Sequence, residues 1–189
     1  MSGSPANPVS SAPWPGERPQ LMDECATPQW FAVQTRYRFE KRVVADLSRK
    51  NCEIYLPVLS ENRSWSDRRK TVTTPLFPGY AFVHINRSQN ARRTVLETAG
   101  LIGFVSFGGA VVAIPEKQIE DLQLLLREKS AFAFHPFVRA GQRVRIRGGC
   151  LHGLEGLLAH NEKKKLVISI ESIQRSLAIE IQGYELEVI

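Results

Sequence analysis

The sequence predicts an α+β protein in which an antiparallel sheet flanked by helices is followed by a small β-barrel. The aromatic and β-branched run 30–35 and the two-residue alternation over 80–85 indicate strands. Apolar residues at every fourth position over 39–50 indicate an amphipathic helix. Beyond residue 138 the alternation continues between Gly-rich turns, a pattern typical of small antiparallel barrels. We therefore expect one mixed domain and one all-β domain.

The first elements follow directly from residue 30. The aromatic and β-branched run 30–35 predicts a strand, and Phe39, Val43 and Leu47 form one apolar face of the helix that follows. A second strand is expected over 53–58. The polar and basic segment 61–70 lies between two strand-like runs, which predicts the tip of a long hairpin.

The strand that begins at Tyr80 carries apolar side chains on both faces. One face holds Ala81, Val83 and Ile85, and the other holds Tyr80, Phe82 and His84. One face can pack on the helices of the domain, while the other is available for a partner. A short helix ended by Gly100, several short strands over 101–114 and a third helix opened by Pro115 complete this domain.

The domain boundaries follow from changes in composition. Residues 1–29 contain six of the eleven prolines and no apolar periodicity, so they predict a disordered tail. The mixed domain is expected over 30–129. Residues 130–137 show neither periodicity nor charge beyond one histidine and predict a linker, and the barrel is expected over 138–189.

Composition limits the function classes. The net charge is +6, and the excess lies in 30–130, with 16 Lys and Arg against 10 Asp and Glu, which is compatible with nucleic acid. The histidines and cysteines fall at no metal-ligand spacing and no phosphate loop is present, so we expect neither an enzyme nor a cofactor or metal. The absence of a long apolar run predicts that the protein has no membrane span. Three widely spaced cysteines without a Cys-x-x-Cys motif predict a cytoplasmic protein.

Two segments carry a resemblance to a known family. The strand at Trp30, the helix at 39–50 and Pro75-Leu-Phe-Pro-Gly-Tyr-Ala-Phe-Val resemble the N-terminal (NGN) domain of NusG-type transcription elongation factors. Residues 139–170 resemble the KOW motif, which implies an SH3-like barrel. Details around 104–115 resemble the specialised RfaH-like antitermination paralogs more than the housekeeping factor.

This resemblance implies a monomeric factor that binds RNA polymerase and suppresses pausing or termination. Tyr80 and Phe82, flanked by Ala32 and Gln34, would contact the clamp helices, although aromatic residues in a strand more often belong to a core. Arg92 and Arg93, taken to open the second helix, would face the gate loop. Solvated arginines are the alternative for this pair.

The resemblance also implies contacts with nucleic acid and with a further protein. Arg36 and Arg42, with Arg38 and Lys41, would contact non-template or upstream DNA, although a charge run is usually a solvated helix face. The KOW loops would recruit a NusE-type ribosomal protein or Rho through four residues: Leu151, His152, Leu154 and Ile173.

Two alternatives remain open at this stage. One is a housekeeping NusG-type factor that assists Rho-dependent termination. The other is a ribosome-associated KOW protein that binds RNA, against which the Phe-Pro-Gly-Tyr strand argues.

Overall fold

The structure, a computed structural model, describes residues 27–64, 69–107, 110–137, 141–158 and 165–189. The predicted tail over 1–29 therefore lies outside the described residues except for its last three positions. The elements in chain order are β1 (Gln29–Thr35), α1 (Glu40–Arg49), β2 (Glu53–Tyr55), β3 (Val58–Ser64), β4 (Arg69–Pro75), β5 (Tyr80–Ile85), α2 (Gln89–Leu96), β6 (Leu101–Phe104), β7 (Ser106–Phe107), β8 (Ala110–Val111), α3 (Glu116–Arg127), β9 (Phe132–His135), β10 (Gln142–Arg147), β11 (Glu155–Leu158), β12 (Lys165–Ile170), β13 (Arg175–Glu180) and β14 (Glu185–Val188).

The N-terminal unit is built on a four-stranded antiparallel sheet in the order β2-β5-β1-β6. Its first face is packed against α1 and α2, whose apolar side chains Val43, Leu47 and Val95 are fully buried. The strand residues on this face are Phe31, Val33, Ala81, Val83 and Ile85. The predicted division of β5 into two faces is confirmed.

The second face of the sheet carries Trp30, Ala32, Tyr55, Tyr80, Phe82 and His84. Trp30, Ala32 and Phe82 belong to a cluster of buried apolar residues that includes Ile119, Leu122 and Leu125 of α3. The same cluster continues into the C-terminal strands. The two parts of the chain therefore share one apolar core across this face.

Strands β3 and β4 pair over seven residues on each side and form the two-stranded ribbon that the polar segment predicted. Its tip, 65–68, lies outside the described residues. Lys41 in α1 donates from Nζ to the carbonyl oxygen of Thr73, at 2.8 Å. This hydrogen bond connects the ribbon to α1, close to the end of β4.

The C-terminal unit is a six-stranded antiparallel sheet in the order β14-β10-β11-β12-β13-β9. Its core contains Val144, Ile146, Leu166, Ile168 and other alternating residues of the predicted strands. An α+β unit followed by a β-rich unit is thus confirmed. The sheet also contains β9, which comes from the segment 130–137 that we predicted as a linker.

Arginine side chains on the outer side of β10 are paired with glutamates of neighbouring strands. Arg145 donates from Nε and one terminal nitrogen to Glu155, at 2.9 and 2.6 Å, and Arg147 donates in the same way to Glu187, at 3.0 and 2.5 Å. Hydrogen bonding to these carboxylates raises the pKa of both arginines. Part of the basic charge of this unit is thus neutralised by its own acids.

Over the described part of the chain, no helix has the length and apolar character needed to span a membrane.

Candidate functional site

The aromatic residues of the second face lie at two depths. Phe82 is fully buried, with its ring centroid 6.3 Å from that of Tyr55 and 6.4 Å from that of Phe77. Burial raises the pKa of Tyr55 to about 12. Tyr80 is only half-buried, and Gln34, its partner across the strand pair, is exposed. Of the four residues predicted to contact the clamp helices, Ala32 and Phe82 are core residues, whereas Tyr80 and Gln34 reach the surface.

Tyr80 lies where the two units meet. A cleft of about 230 Å³ is lined by Leu76, Phe77, Pro78 and Tyr80 of the N-terminal unit and by Phe134 and Arg175 of the C-terminal unit. Phe134 stands on β9 and is largely exposed. Because β9 joins the C-terminal sheet, it brings this phenyl ring to the edge of the second face. The C-terminal unit therefore limits access to Tyr80.

A polar cluster joins α3 to the C-terminal unit. Lys117 donates from Nζ to Oδ1 of Asp121, at 2.6 Å, and to the carbonyl oxygen of Gly153, at 2.7 Å. The backbone N–H of Glu155 donates to the same Asp121 oxygen, at 3.3 Å. Asp121 is only 3% exposed, and burial raises its pKa to about 6 although Lys117 opposes the shift. Two hydrogen bonds thus cross between the units at this point.

The predicted protein-binding loops of the C-terminal unit are mostly buried. Leu151, Leu154 and Ile173 belong to the shared apolar core, whereas His152 is exposed and accepts a hydrogen bond at Nδ1 from the Gly148 N–H, at 2.9 Å. The apolar residues of these turns close the end of the sheet instead of facing solvent. Only His152 of the four predicted residues is open to a partner in this conformation.

The basic residues predicted to contact DNA lie around the start of α1. Arg36 and Arg38 lie in the turn before the helix, and Lys41 and Arg42 in its first turn, and all four are exposed. The Arg42 guanidinium lies 5.9 Å from the centroid of the Phe39 ring and 4.0 Å from the Asp46 carboxylate. The structure therefore brings the four predicted residues into one exposed region.

The pair Arg92 and Arg93 does not open the second helix as predicted. Ser88 is the N-cap, and its hydroxyl oxygen accepts from the Ala91 N–H at 3.2 Å, so the helix begins at Gln89. The arginines consequently lie one turn inside the helix. Arg93 donates to Glu97 at 2.6 Å, and hydrogen bonding to this carboxylate raises the Arg93 pKa.

Two features of this region were not predicted from the sequence. The His84 ring stacks on Trp30, with ring centroids 4.8 Å apart, and its Nδ1 lies 2.6 Å from a Glu53 oxygen. The other feature is the exposed ring of Tyr37, between Arg36 and Arg38. An aromatic residue between two arginines in a turn was the available signal for it. Over the described ranges, no group of three His, Cys, Asp or Glu residues could hold a metal ion.

Comparisons with known proteins define the class as that of transcription termination factors. The family model described as "Transcription termination factor nusG" matches residues 28–123, just over half of the chain. The chain therefore belongs to the NusG family.

Individual relatives extend over most of the chain. The transcription termination/antitermination protein NusG of Lactococcus lactis is 29% identical over 175 residues, covering 84% of this chain and 91% of the relative. The protein of the same name from Borreliella burgdorferi is 24% identical over 179 residues, covering 84% and 97%. The solved structure described as "Domain interaction in Thermotoga maritima NusG" aligns with a TM-score of 0.46 at 21% identity, covering 86% of this chain and 97% of that one.

Proposed function

We propose that this protein is a transcription elongation and antitermination factor. It binds RNA polymerase through the rim of its second sheet face, which is the surface formed by Tyr80 and Gln34. One observation carries the proposal: the N-terminal sheet has an aromatic face whose outer residue, Tyr80, is half-buried against a separate unit. The first face already supplies the unit with a complete helix-covered core. A further aromatic face suits an interface with a partner.

The proposed partner surfaces on polymerase are the clamp helices and the gate loop. Tyr80 and Gln34 would contact the clamp helices directly. Ala32 and Phe82 would support that contact from below, because both are buried. Arg92 and Arg93 would face the gate loop from within α2. A factor that bridges the two sides of the cleft favours the closed clamp by binding it more tightly than the open one, and so suppresses pausing.

Docking requires the C-terminal unit to leave the rim of the second face. Phe134 and Arg175 share the cleft with Tyr80, so a polymerase helix cannot fill it while they stay. The apparent affinity for polymerase is then reduced by the fraction of molecules in which the rim is open. The hydrogen bonds of Lys117 and Asp121 to the C-terminal unit stabilise the closed arrangement and so lower the fraction of molecules with an open rim.

The basic region at the start of α1 is proposed to contact non-template or upstream DNA through Arg36 and Arg42. Their guanidinium groups are exposed and suited to phosphate oxygens. The C-terminal unit is proposed to recruit a further protein, a NusE-type ribosomal protein or Rho. His152 is exposed in the conformation described, whereas Leu151, Leu154 and Ile173 would contact a partner only after the units separate.

The test is binding of the full chain to core RNA polymerase and to ribosomes. We expect saturable binding to polymerase, and preferential binding to ribosomes would overturn the proposal in favour of an RNA-binding KOW protein. On an elongation complex, the double variant Arg36→Ala with Arg42→Ala should bind with a weaker salt dependence. The slope of log affinity against log salt concentration should become shallower by about one to two units. Transcription with and without Rho then separates antitermination from the alternative, assistance to Rho-dependent termination.

A further inference from the structure

Among the residues whose side chains the structure describes, Tyr37 is the most exposed of the large apolar and aromatic ones. Its exposure is 70%, compared with 61% for Phe134, the next most exposed aromatic residue. It lies in the turn between β1 and α1. A tyrosine side chain combines a flat apolar ring with a polar hydroxyl, which suits it to an interface.

The turn that carries Tyr37 is held on both sides. Before it, the Thr35 N–H donates to the Gly79 carbonyl and the Arg36 N–H donates to the Gly100 carbonyl, each at 2.8 Å. After it, the Phe39 ring packs against Gly100, where an added Cβ would lie 2.6 Å from the ring. The exposed ring is therefore presented by a fixed backbone, which lowers the entropy lost on binding a ligand.

The charge around the ring is positive. Four exposed basic residues lie within five positions of Tyr37 along the chain: Arg36, Arg38, Lys41 and Arg42. Glu40, the acid within this stretch, is buried and accepts a hydrogen bond from the Gly79 N–H at 2.8 Å. The exposed chemistry of the region is thus one aromatic ring among cations.

One face of the Tyr37 ring is already occupied. The Arg38 guanidinium lies over it, 5.4 Å from the ring centroid. Arg38 has a φ of +67°, a left-handed conformation that is uncommon for residues other than glycine. Such a guanidinium–ring pair leaves the opposite ring face for a second flat group, and the cation strengthens stacking on that face.

We propose that Tyr37 stacks on an unpaired base of single-stranded DNA while the neighbouring arginines neutralise its phosphates. Duplex DNA keeps its bases stacked and offers them no free face, so the ligand is a single strand. The inference rests on the proposed function, in which a transcription bubble supplies that strand. It adds a base contact to the phosphate contacts already proposed for Arg36 and Arg42.

The experiment is titration of a fluorescent 12-nucleotide oligothymidine with the full chain, followed by anisotropy at low and moderate salt. We expect Tyr37→Ala and Tyr37→Leu to lose about tenfold in affinity, as removal of one stacked base does. Tyr37→Phe should stay within about threefold, because the ring is retained. None of the three should change the salt slope, since no charge is removed.

Matched controls identify failures of other kinds. Val188→Ala shortens an apolar side chain of the C-terminal unit that is also largely exposed, and it should leave the affinity unchanged. All variants should have the melting temperature of the wild type, because the substituted side chains are exposed. Equal affinity of Tyr37→Ala and wild type would overturn the stacking role, as would equal binding to a 12-base-pair duplex. If wild type still binds core polymerase in that case, the proposed function stands without the base contact.

Discussion

The two faces of the N-terminal sheet are buried by different means. The first face is covered by α1 and α2 of the same unit, through side chains such as Phe31 and Val83 that are fully buried. The second face meets α3 and the C-terminal unit, with a cleft at Tyr80 and two polar contacts at Lys117 and Asp121. A face covered by its own helices maintains the fold, whereas under the proposed function the face covered by the C-terminal unit exchanges that cover for a partner.

The largest expected effect is on the first face. Phe31→Ala should lower the free energy of unfolding by about 3–5 kcal/mol, because it removes a fully buried ring and leaves a cavity. Phe82→Ala should fall in the same range, since Phe82 is equally buried on the second face. Urea unfolding followed by circular dichroism measures both. A loss below about 1 kcal/mol for Phe31→Ala would show that the first face does not maintain the fold.

The rim of the second face should behave in the opposite way. Tyr80→Ala should fold with a melting temperature close to that of wild type, because the side chain is half-buried beside a cleft. Its affinity for core polymerase should fall about thirtyfold, the effect of losing an interface hot spot of about 2 kcal/mol. Normal folding with unchanged affinity would place the docking surface elsewhere. Unfolding would make Tyr80 a core residue.

Weakening the contact between the units should raise the affinity for polymerase, by less than Tyr80→Ala lowers it. Lys117→Met removes the ammonium that bonds Gly153 and Asp121 but keeps the side-chain length. Weakening the closed arrangement by about 1 kcal/mol should raise the apparent affinity for polymerase three- to fivefold. Lys129→Met, at an exposed lysine just past α3, is the matched control. Unchanged affinity for Lys117→Met would show that this contact does not hold the units together.

The smallest effect is a pH dependence at the same contact. Burial raises the pKa of Asp121 to about 6 in the folded state, from 3.8 in the unfolded chain. Protonation of this carboxyl therefore contributes its full stabilisation below about pH 3.8, and the stabilisation is lost as the pH rises through 6. Between pH 7 and pH 5, wild type should gain about 1 kcal/mol relative to Asp121→Asn. Asparagine keeps an acceptor for Glu155 and Lys117. Unfolding curves at the two pH values measure this difference, and a pH-independent difference would contradict it.

Local patterns predicted most of the fold. The alternation of Ala81, Val83 and Ile85 identified the helix-covered face because a strand directs successive side chains to opposite sides. The four-residue spacing from Phe39 identified α1 for the same kind of reason. Both features depend only on the geometry of one element.

Features that depend on distant pairing were not predictable in the same way. Strand β9 is too short to show a period, and it is ordered by pairing with β13, more than 40 residues later. Leu151 and Leu154 lie in a Gly-rich turn, where an apolar side chain can serve a partner or close a core. The burial of Asp121 depends on a contact between units and leaves no local pattern.

Strand β9 also determines how far the C-terminal unit can travel. Because β9 is paired into that unit, only the four residues 128–131 connect it to the end of α3. Four extended residues span at most about 14 Å, so an undocked unit stays tethered close to the rim it has left. Under the proposed function, it then competes with polymerase at a millimolar effective concentration that does not depend on the protein concentration. Separation of β9 from β13 would lengthen this linker several-fold. The stability of one short strand pair therefore determines how far the C-terminal unit can move from the N-terminal unit.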